Sequence, residues 1–158
     1  MDKQVQAFSS RREFEQLLQL CLSRAHLRLQ LFDPDFALWQ LGSSATDAIL
    51  RPFLAGGGQL QLVAHSNAHL ERNAPRFLRL LQDYGHAIEC RLTHQNLRQL
   101  TDSFCIGDGR DLVRRFHADH LRGEAVFDSP PDTQVCTERF IAIWKESSPG
   151  LHVSTAGL

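Results

Sequence analysis

The chain has 158 residues, of which 42% are hydrophobic and 22% are charged. These proportions are typical of one globular domain with a single core, and they argue against a disordered or fibrous protein. The formal net charge is −1, so only local groups of the fifteen arginines could attract nucleic acid, an anionic membrane or another anion.

The cysteines and the lack of long apolar stretches indicate the compartment. Four cysteines are scattered without a CxxC pair, and most lie at apolar positions, which predicts buried free thiols (Cys21, Cys90, Cys105 and Cys136). No apolar stretch has the length of a signal peptide or approaches the roughly 20 residues of a membrane span. We therefore expect a cytoplasmic protein without membrane insertion, and we expect no cofactor.

The first predicted elements are a helix and a strand. Ser10 and Glu13 have the spacing of a capping box, and apolar residues then recur at helical intervals, which predicts a helix over 11–23. Leucines alternate with polar residues over 26–32, which predicts a strand with one buried face. This strand should end before Pro34, because proline offers no backbone donor to a sheet.

Two helices and a strand are predicted in the middle of the chain. A capped helix should begin at Ser44, and three consecutive glycines then release the chain into a strand over 59–64. Helical periodicity returns over 70–84, where Pro75 is tolerated only in a first turn, with Asn73 as the expected cap.

The second half of the chain contains shorter segments. In order, it predicts a strand over 87–92, a short helix over 93–100, a strand over 103–106, a returning strand over 112–116, a strand over 124–128 and a last helix after Pro130-Pro131. The alternation of strands and helices predicts an α/β fold, with helices packed on a sheet. We expect one domain over 1–148 and a flexible tail over 149–158.

The most informative motif is the short apolar run 104–110, which contains the turn Asp108-Gly109. It resembles the HxKxxxxDG strand and turn of the phospholipase D superfamily, but Thr101 and Ser103 stand where that motif has His and Lys. In that superfamily the His attacks phosphorus, the Lys neutralises phosphoryl oxygens and the Asp orients an imidazole. The resemblance implies a phosphodiesterase-like scaffold without its nucleophile and its cation.

Two further segments extend the resemblance. Arg114, Arg115 and His117 stand where the superfamily usually has a Gly-Ser-x-Asn segment. Residues 123–130 and the helix after them are similar to the superfamily's closing acidic residue, strand, Asp-x-Pro turn and helix. The resemblance implies a single phospholipase D-like unit, with a mixed sheet and helices packed on it. Active members bring two such units together, so a lone unit implies a homodimer.

Three residues are candidates for a rebuilt catalytic site, namely Asp108, His117 and Glu124. His117 would be the nucleophile or the general base. Each acid also has a structural alternative, because Asp before Gly is common in hairpin turns and Glu124 could be a solvated residue at a strand start.

Further candidates are cationic or lie in loops. Arg114 or Arg115 could bind an anion, but neighbours in a strand point to opposite faces, so only one could face a given cleft. His117 and His120 flank Asp119, but two nitrogen ligands do not complete a tetrahedral site, and we predict no metal site. His65, Ser66 and Asn67 follow a strand's carboxyl end, where open sheets often bind ligands.

The sequence thus favours a non-catalytic phospholipase D-like domain that acts as a binding or protein-interaction module. Its partner would be a phosphate-containing ligand, another protein or a second copy of the chain, and nothing in the sequence supports nucleic-acid binding. The alternative is a phosphodiesterase or nuclease that uses the rebuilt site. The two hypotheses differ in whether the candidate residues line one cleft.

Overall fold

One mixed sheet organises residues 4–151, which are the residues that the computed structural model describes. Its strand order is β1-β7-β6-β5-β2-β3-β4-β8, in which β2, β3 and β4 are parallel neighbours and the other pairings are antiparallel. The strands are β1 (Gln4–Phe8), β2 (Arg28–Phe32), β3 (Gln59–Ala64), β4 (Ile88–Thr93), β5 (Ser103–Gly107), β6 (Asp111–Arg115), β7 (Gly123–Phe127) and β8 (Ser147–Pro149).

Helices cover the two faces of this sheet unequally. Among the described residues they are α1 (Arg11–Arg24), α2 (Ser44–Ala55), α3 (Ala68–Asn73), α4 (Pro75–Asp83) and α5 (Pro130–Lys145). The first four contribute to a large hydrophobic cluster on one face, and α5 contributes to a smaller cluster on the other. The predicted α/β fold with a mixed sheet and packed helices is therefore confirmed.

Alternation along β5 shows how one strand serves both clusters. Cys105 lies in the large cluster, whereas its neighbours Phe104 and Ile106 lie in the cluster around α5. Cys136, Phe140 and other residues of α5 complete the smaller cluster, as the helical spacing predicts. The four cysteines are free and buried, and burial raises the pKa of Cys90 to about 12.

Helix starts agree with the sequence at α1 and differ at the next two long helices. Ser10 caps α1, because its side chain accepts a hydrogen bond from the Glu13 amide at 3.1 Å. The residue that caps α2 is Ser43, not Ser44, since the Ser43 hydroxyl accepts from the Thr46 amide. Asn73 is not a cap, because it ends α3 and is separated by Ala74 from the first residue of α4.

Local patterns misjudge three other segments. The predicted helix over 93–100 is only a 3₁₀ turn, Gln95–Leu97. In β2, Gln30 is 5% exposed and the preceding Leu27 is 73% exposed, because this central strand is covered on both faces while Leu27 lies before it. Strand β8 pairs with β4 and places Pro149 opposite Arg91, so the start of the predicted tail lies against the sheet, and 152–158 lie outside the described residues.

No helix within residues 4–151 is long and apolar enough to cross a membrane.

Candidate functional site

Thr101 and Ser103, the positions at which the resemblance expects a catalytic His and Lys, lie at a definite place in the fold. Strand β5 runs antiparallel to β2, and Phe104 lies opposite Phe32. The start of β5, with Thr101 and Ser103, therefore lies where β2, β3 and β4 end, and we call this side of the sheet the carboxyl edge. Ligands of open α/β sheets commonly bind at the carboxyl ends of parallel strands, so this edge is where a site is expected.

A buried ion pair occupies the carboxyl edge. Arg115 lies opposite Ser103 in the β5–β6 ladder. Its guanidinium donates to Asp33 Oδ1 at 2.7 Å, to the Ser103 hydroxyl at 3.2 Å and to the carbonyl of Ala118 at 2.7 Å. Both charged side chains are 2% exposed, and the guanidinium also lies 5.1 Å from the ring centroid of Phe14.

The carboxylate of this pair is bound as completely as the guanidinium. Asp33 Oδ2 accepts hydrogen bonds from the backbone amides of Asp35, at 3.0 Å, and Phe36, at 2.7 Å. A buried ion pair is tolerated when hydrogen bonds satisfy its remaining polar atoms, and here they do. Arg115 therefore has a structural role. An anion-binding side chain would be expected to face a cleft, whereas Arg115 is buried and paired with Asp33.

Thr101 contacts the rest of this edge through its backbone. It is exposed, and its carbonyl accepts a hydrogen bond from the Ala118 amide at 2.8 Å. This bond helps to hold the segment after β6 over the start of β5. The Ser103 hydroxyl accepts a hydrogen bond from Arg115. At the two motif positions, the Thr101 backbone and the Ser103 side chain thus form structural hydrogen bonds.

His65 follows β3 and brings an imidazole to the carboxyl edge, and both of its nitrogens are bound. Nδ1 lies 2.7 Å from the Thr93 hydroxyl and Nε2 lies 2.8 Å from the Leu100 carbonyl. A carbonyl can only accept, so Nε2 carries the proton and Nδ1 accepts from Thr93. His65 thus joins the ends of β3 and β4 to the segment before β5. Of its neighbours, Ser66 accepts from the Ala68 amide and Asn67 is buried.

Asp108 lies at the opposite end of β5. Its carboxylate accepts hydrogen bonds from the backbone amides of His26, Leu27 and Arg28 at 2.8–2.9 Å, so it binds the start of β2. Burial alone would raise the pKa of Asp108, but these three amides and the Arg110 charge outweigh burial and lower it. Its φ of 53° is one that Asp tolerates better than most residues.

The other two members of the predicted rebuilt site lie elsewhere. Glu124 is opposite Arg114 in the β6–β7 ladder and accepts a hydrogen bond from its guanidinium at 2.9 Å. His117 follows β6, and its Nδ1 accepts from the Asp119 amide at 3.0 Å. Because a strand rises about 3.3 Å per residue, the five-residue β5 separates Asp108 from the carboxyl edge by about 17 Å. The three residues therefore do not form one site.

The remaining predicted residues pair locally. Arg114 is bound to Glu124 and lies 5.1 Å from the ring centroid of Phe116. The rings of His117 and His120 are 5.1 Å apart, but nowhere in residues 4–151 do three or more His, Cys, Asp or Glu side chains group as metal ligands would. Sequence reasoning did not find Asp33, because it is 82 positions from Arg115 and its only local signal is the Asp-Pro-Asp segment after a strand.

Two solved structures that are similar to this chain show which class of fold it has. Nuc from Salmonella typhimurium, a phospholipase D family member, matches with a TM-score of 0.69 and 15% identity, over 94% of this chain and 99% of that one. NucT from Helicobacter pylori matches with a TM-score of 0.62 and 10% identity, over 94% of this chain and all of that one. The chain therefore has the fold of a single phospholipase D-like unit.

A further neighbour is longer than this chain. TrmBL2, an archaeal chromatin protein, matches with a TM-score of 0.68 and 13% identity, and 92% of this chain covers 54% of it. A search of curated proteins found no match. The family model described as "Domain of unknown function (DUF7931)" matches residues 10–153, and the chain belongs to that family.

Proposed function

We propose that this chain is a non-catalytic phospholipase D-like domain that acts as a binding or protein-interaction module. The observation that carries the proposal is the closed ion pair between Arg115 and Asp33 at the carboxyl edge. It lies beside Ser103, the position that the resemblance assigns to a catalytic lysine.

The chemistry of phosphodiester cleavage supports this reading. Cleavage through a covalent intermediate needs a nucleophile at phosphorus and a cation that neutralises the oxygens of the transferring group. Thr101 and Ser103 supply no cation, and within residues 4–151 neither hydroxyl is hydrogen-bonded to a base that would activate it as a nucleophile. The buried cation at this edge is Arg115, whose charge is already balanced by Asp33, and His65 has both nitrogens in hydrogen bonds.

The alternative is a phosphodiesterase or nuclease with a rebuilt site around Asp108, His117 and Glu124. That alternative requires the three side chains to reach one substrate. The backbone amides of residues 26–28 bind the Asp108 carboxylate, and the Arg114 guanidinium binds Glu124, so neither acid is available beside His117. The geometry favours the non-catalytic hypothesis.

A turnover assay separates these two hypotheses. Purified protein incubated with bis-p-nitrophenyl phosphate should release no more nitrophenol than a buffer blank, while an active phosphodiesterase of the same fold serves as the positive control. Turnover that disappears in His117→Ala would establish the rebuilt site instead. Turnover that survives His117→Ala would still refute a non-catalytic domain.

We also propose that the domain is a cytoplasmic homodimer. Four buried free thiols suit a reducing compartment. Active members of the superfamily that the chain resembles bring two units together, and we propose that two copies of this chain associate in the same way. Light scattering coupled to size exclusion should give twice the chain mass, and a monomer at high protein concentration would contradict dimerisation.

A further inference from the structure

We infer that a cleft on the α1 side of the carboxyl edge binds the phosphate group of a small phosphorylated ligand. This inference rests on the proposed binding function and gives it a ligand class. We call the cleft the loop cleft, because residues 36–43 of the loop after β2 form one wall, and residues 69–74, which follow β3, form another. Its volume is about 370 Å³, within the range of small-molecule sites and larger than a bare phosphate needs.

The lining of the loop cleft is rich in hydrogen-bond donors. Arg11, Ser43, His69 and Asn73 contribute polar side chains, and none of the residues that line it is an Asp or Glu. Two other clefts differ in this respect, because Glu89 lines one and both Glu13 and Glu124 line the other. A further cleft, beside α5, is lined by Arg28 and Lys145 and also lacks a carboxylate, but no helix begins among the residues that line it. A cleft with basic and neutral donors but no carboxylate favours an anion over a cation.

Two of these side chains retain donors that can face a ligand. The Nε of Arg11 donates to Glu15 at 3.1 Å, which leaves its two Nη groups. Nδ1 of His69 lies 3.3 Å from the side-chain nitrogen of Asn73, which donates, so the proton of the neutral ring is on Nε2. Arg11 and His69 can therefore both donate to phosphate oxygens.

Backbone dipoles add to this positive environment. Arg11 is the first residue of α1, Ser43 is the N-cap of α2 and Ala74 is the N-cap of α4, and all three line the cleft. At α4 no side chain caps the first turn, and no acidic residue lies in it. Its partial positive charge is thus less compensated than at α1 and α2, which serine side chains cap.

The loop is held in a conformation that a random loop would avoid. Phe36 and Gln40 both line the cleft, with φ values of 61° and 58°. Such left-handed conformations are unfavourable for residues other than glycine, and they persist where surrounding contacts impose them. Asp33 supplies one such contact, because its Oδ2 accepts from the Phe36 amide at 2.7 Å.

Gly42 accounts for the closeness of the two walls. A Cβ built on Gly42 would lie 2.9 Å from Cα of Ala74, so only glycine permits this approach. Arg76 of α4 donates to the Gly42 carbonyl at 3.0 Å and holds the same contact. Asp33 thus has two roles: it pairs with Arg115, and it binds the loop that forms one wall of the loop cleft.

A titration followed by NMR tests the inference on the full chain. Inorganic phosphate and glycerol 3-phosphate are added separately at constant ionic strength, with chloride as the matched salt. Both should produce saturable shifts in the same amides, including Gly42, and glycerol 3-phosphate should bind more tightly because it also fills the space beyond the phosphate. Arg11→Ala and His69→Ala should each weaken binding about tenfold, the lower end of the loss for a charged hydrogen bond.

Matched variants and outcomes keep the inference distinct from the proposed lack of catalysis. Arg12→Ala removes the same charge next to Arg11 but from a residue that does not line the cleft, and binding should stay within about twofold. The absence of saturable shifts with either probe, or binding that persists in both Arg11→Ala and His69→Ala, would overturn the loop-cleft inference. Phosphodiesterase turnover would overturn the proposed function, but it would not change these titrations.

Discussion

At the scale of single residues, two carboxylates account for much of the geometry around β5, and they act at opposite ends of it. Asp33 neutralises Arg115 at the carboxyl edge, and Asp108 binds the amides at the start of β2. The contacts of Asp108 differ from the role that the phospholipase D-like motif implies for it. The resemblance gives Asp108 an imidazole to orient, but the groups that bind its carboxylate are backbone amides.

The ion pair predicts strong coupling between its partners. Arg115→Met should lower the free energy of unfolding by about 3–5 kcal/mol, because it leaves the buried Asp33 carboxylate without its countercharge. Asp33→Asn should also destabilise the protein, since it leaves the guanidinium unpaired. The double variant should lose less than the sum of the two single losses. Urea denaturation of the parent protein, the two single variants and the double variant measures this coupling. Additive losses would show that Asp33 and Arg115 do not stabilise each other.

Asp108 predicts a pH dependence on the acid side. Asp108→Ala should cost about 2–3 kcal/mol, because three amides lose their acceptor and Ala disfavours a positive φ. Asp108→Asn tolerates that φ and keeps one acceptor, so it should cost less. The folded-state pKa of Asp108 is lowered, so its stabilisation is complete above the unfolded value near 4 and is lost as pH falls towards the folded value.

Unfolding midpoints from pH 7 downward provide the measurement. The difference between the parent protein and Asp108→Asn should be constant at neutral pH and shrink below about pH 4. A difference that is independent of pH would show that the ionised carboxylate is not what binds β2.

At the scale of elements, the sequence predicts what local contacts determine. Helix α1 is predicted because its cap and its apolar face lie within one segment, and β3 is predicted to its exact bounds. Strand β1 is missed because four of its five residues are exposed and only its pairing with β7 defines it. The pairing of Asp33 with Arg115 joins residues 82 positions apart, so no local pattern reveals that they are partners.

The position of β7 between β1 and β6 predicts a sharp steric limit at Gly123. A Cβ there would collide with the Arg114 carbonyl oxygen and would lie 2.5 Å from the ring of Phe8. Gly123→Ala should therefore destabilise the protein by about 3 kcal/mol or more, because the neighbouring strands must move apart. Gly85→Ala is the control, since its new Cβ would lie 3.2 Å from the nearest atom and on the surface. Equal thermal midpoints for the two variants would refute the close approach.

At the scale of the whole molecule, the fold class could be predicted from sequence and the local chemistry could not. The order of elements and the segment around Asp108-Gly109 were enough to indicate a phospholipase D-like unit, which the matches to Nuc and NucT support. The closed ion pair and the loop cleft depend on how the loops after β2, β3 and β6 meet at one edge of the sheet. Such convergence is a tertiary property, so it becomes visible only in three dimensions.

The claim that the inherited catalytic position is closed is tested most directly by intact-protein mass spectrometry after acid-free quenching of a reaction with excess bis-p-nitrophenyl phosphate. An active phosphodiesterase of the same fold, treated identically, controls for survival of a phosphohistidine. The account predicts that this chain keeps its unmodified mass at every time point. A nitrophenyl phosphoryl adduct, formed when a side chain attacks phosphorus and displaces one nitrophenolate, would contradict it, because such an intermediate requires a nucleophile that the closed edge does not offer.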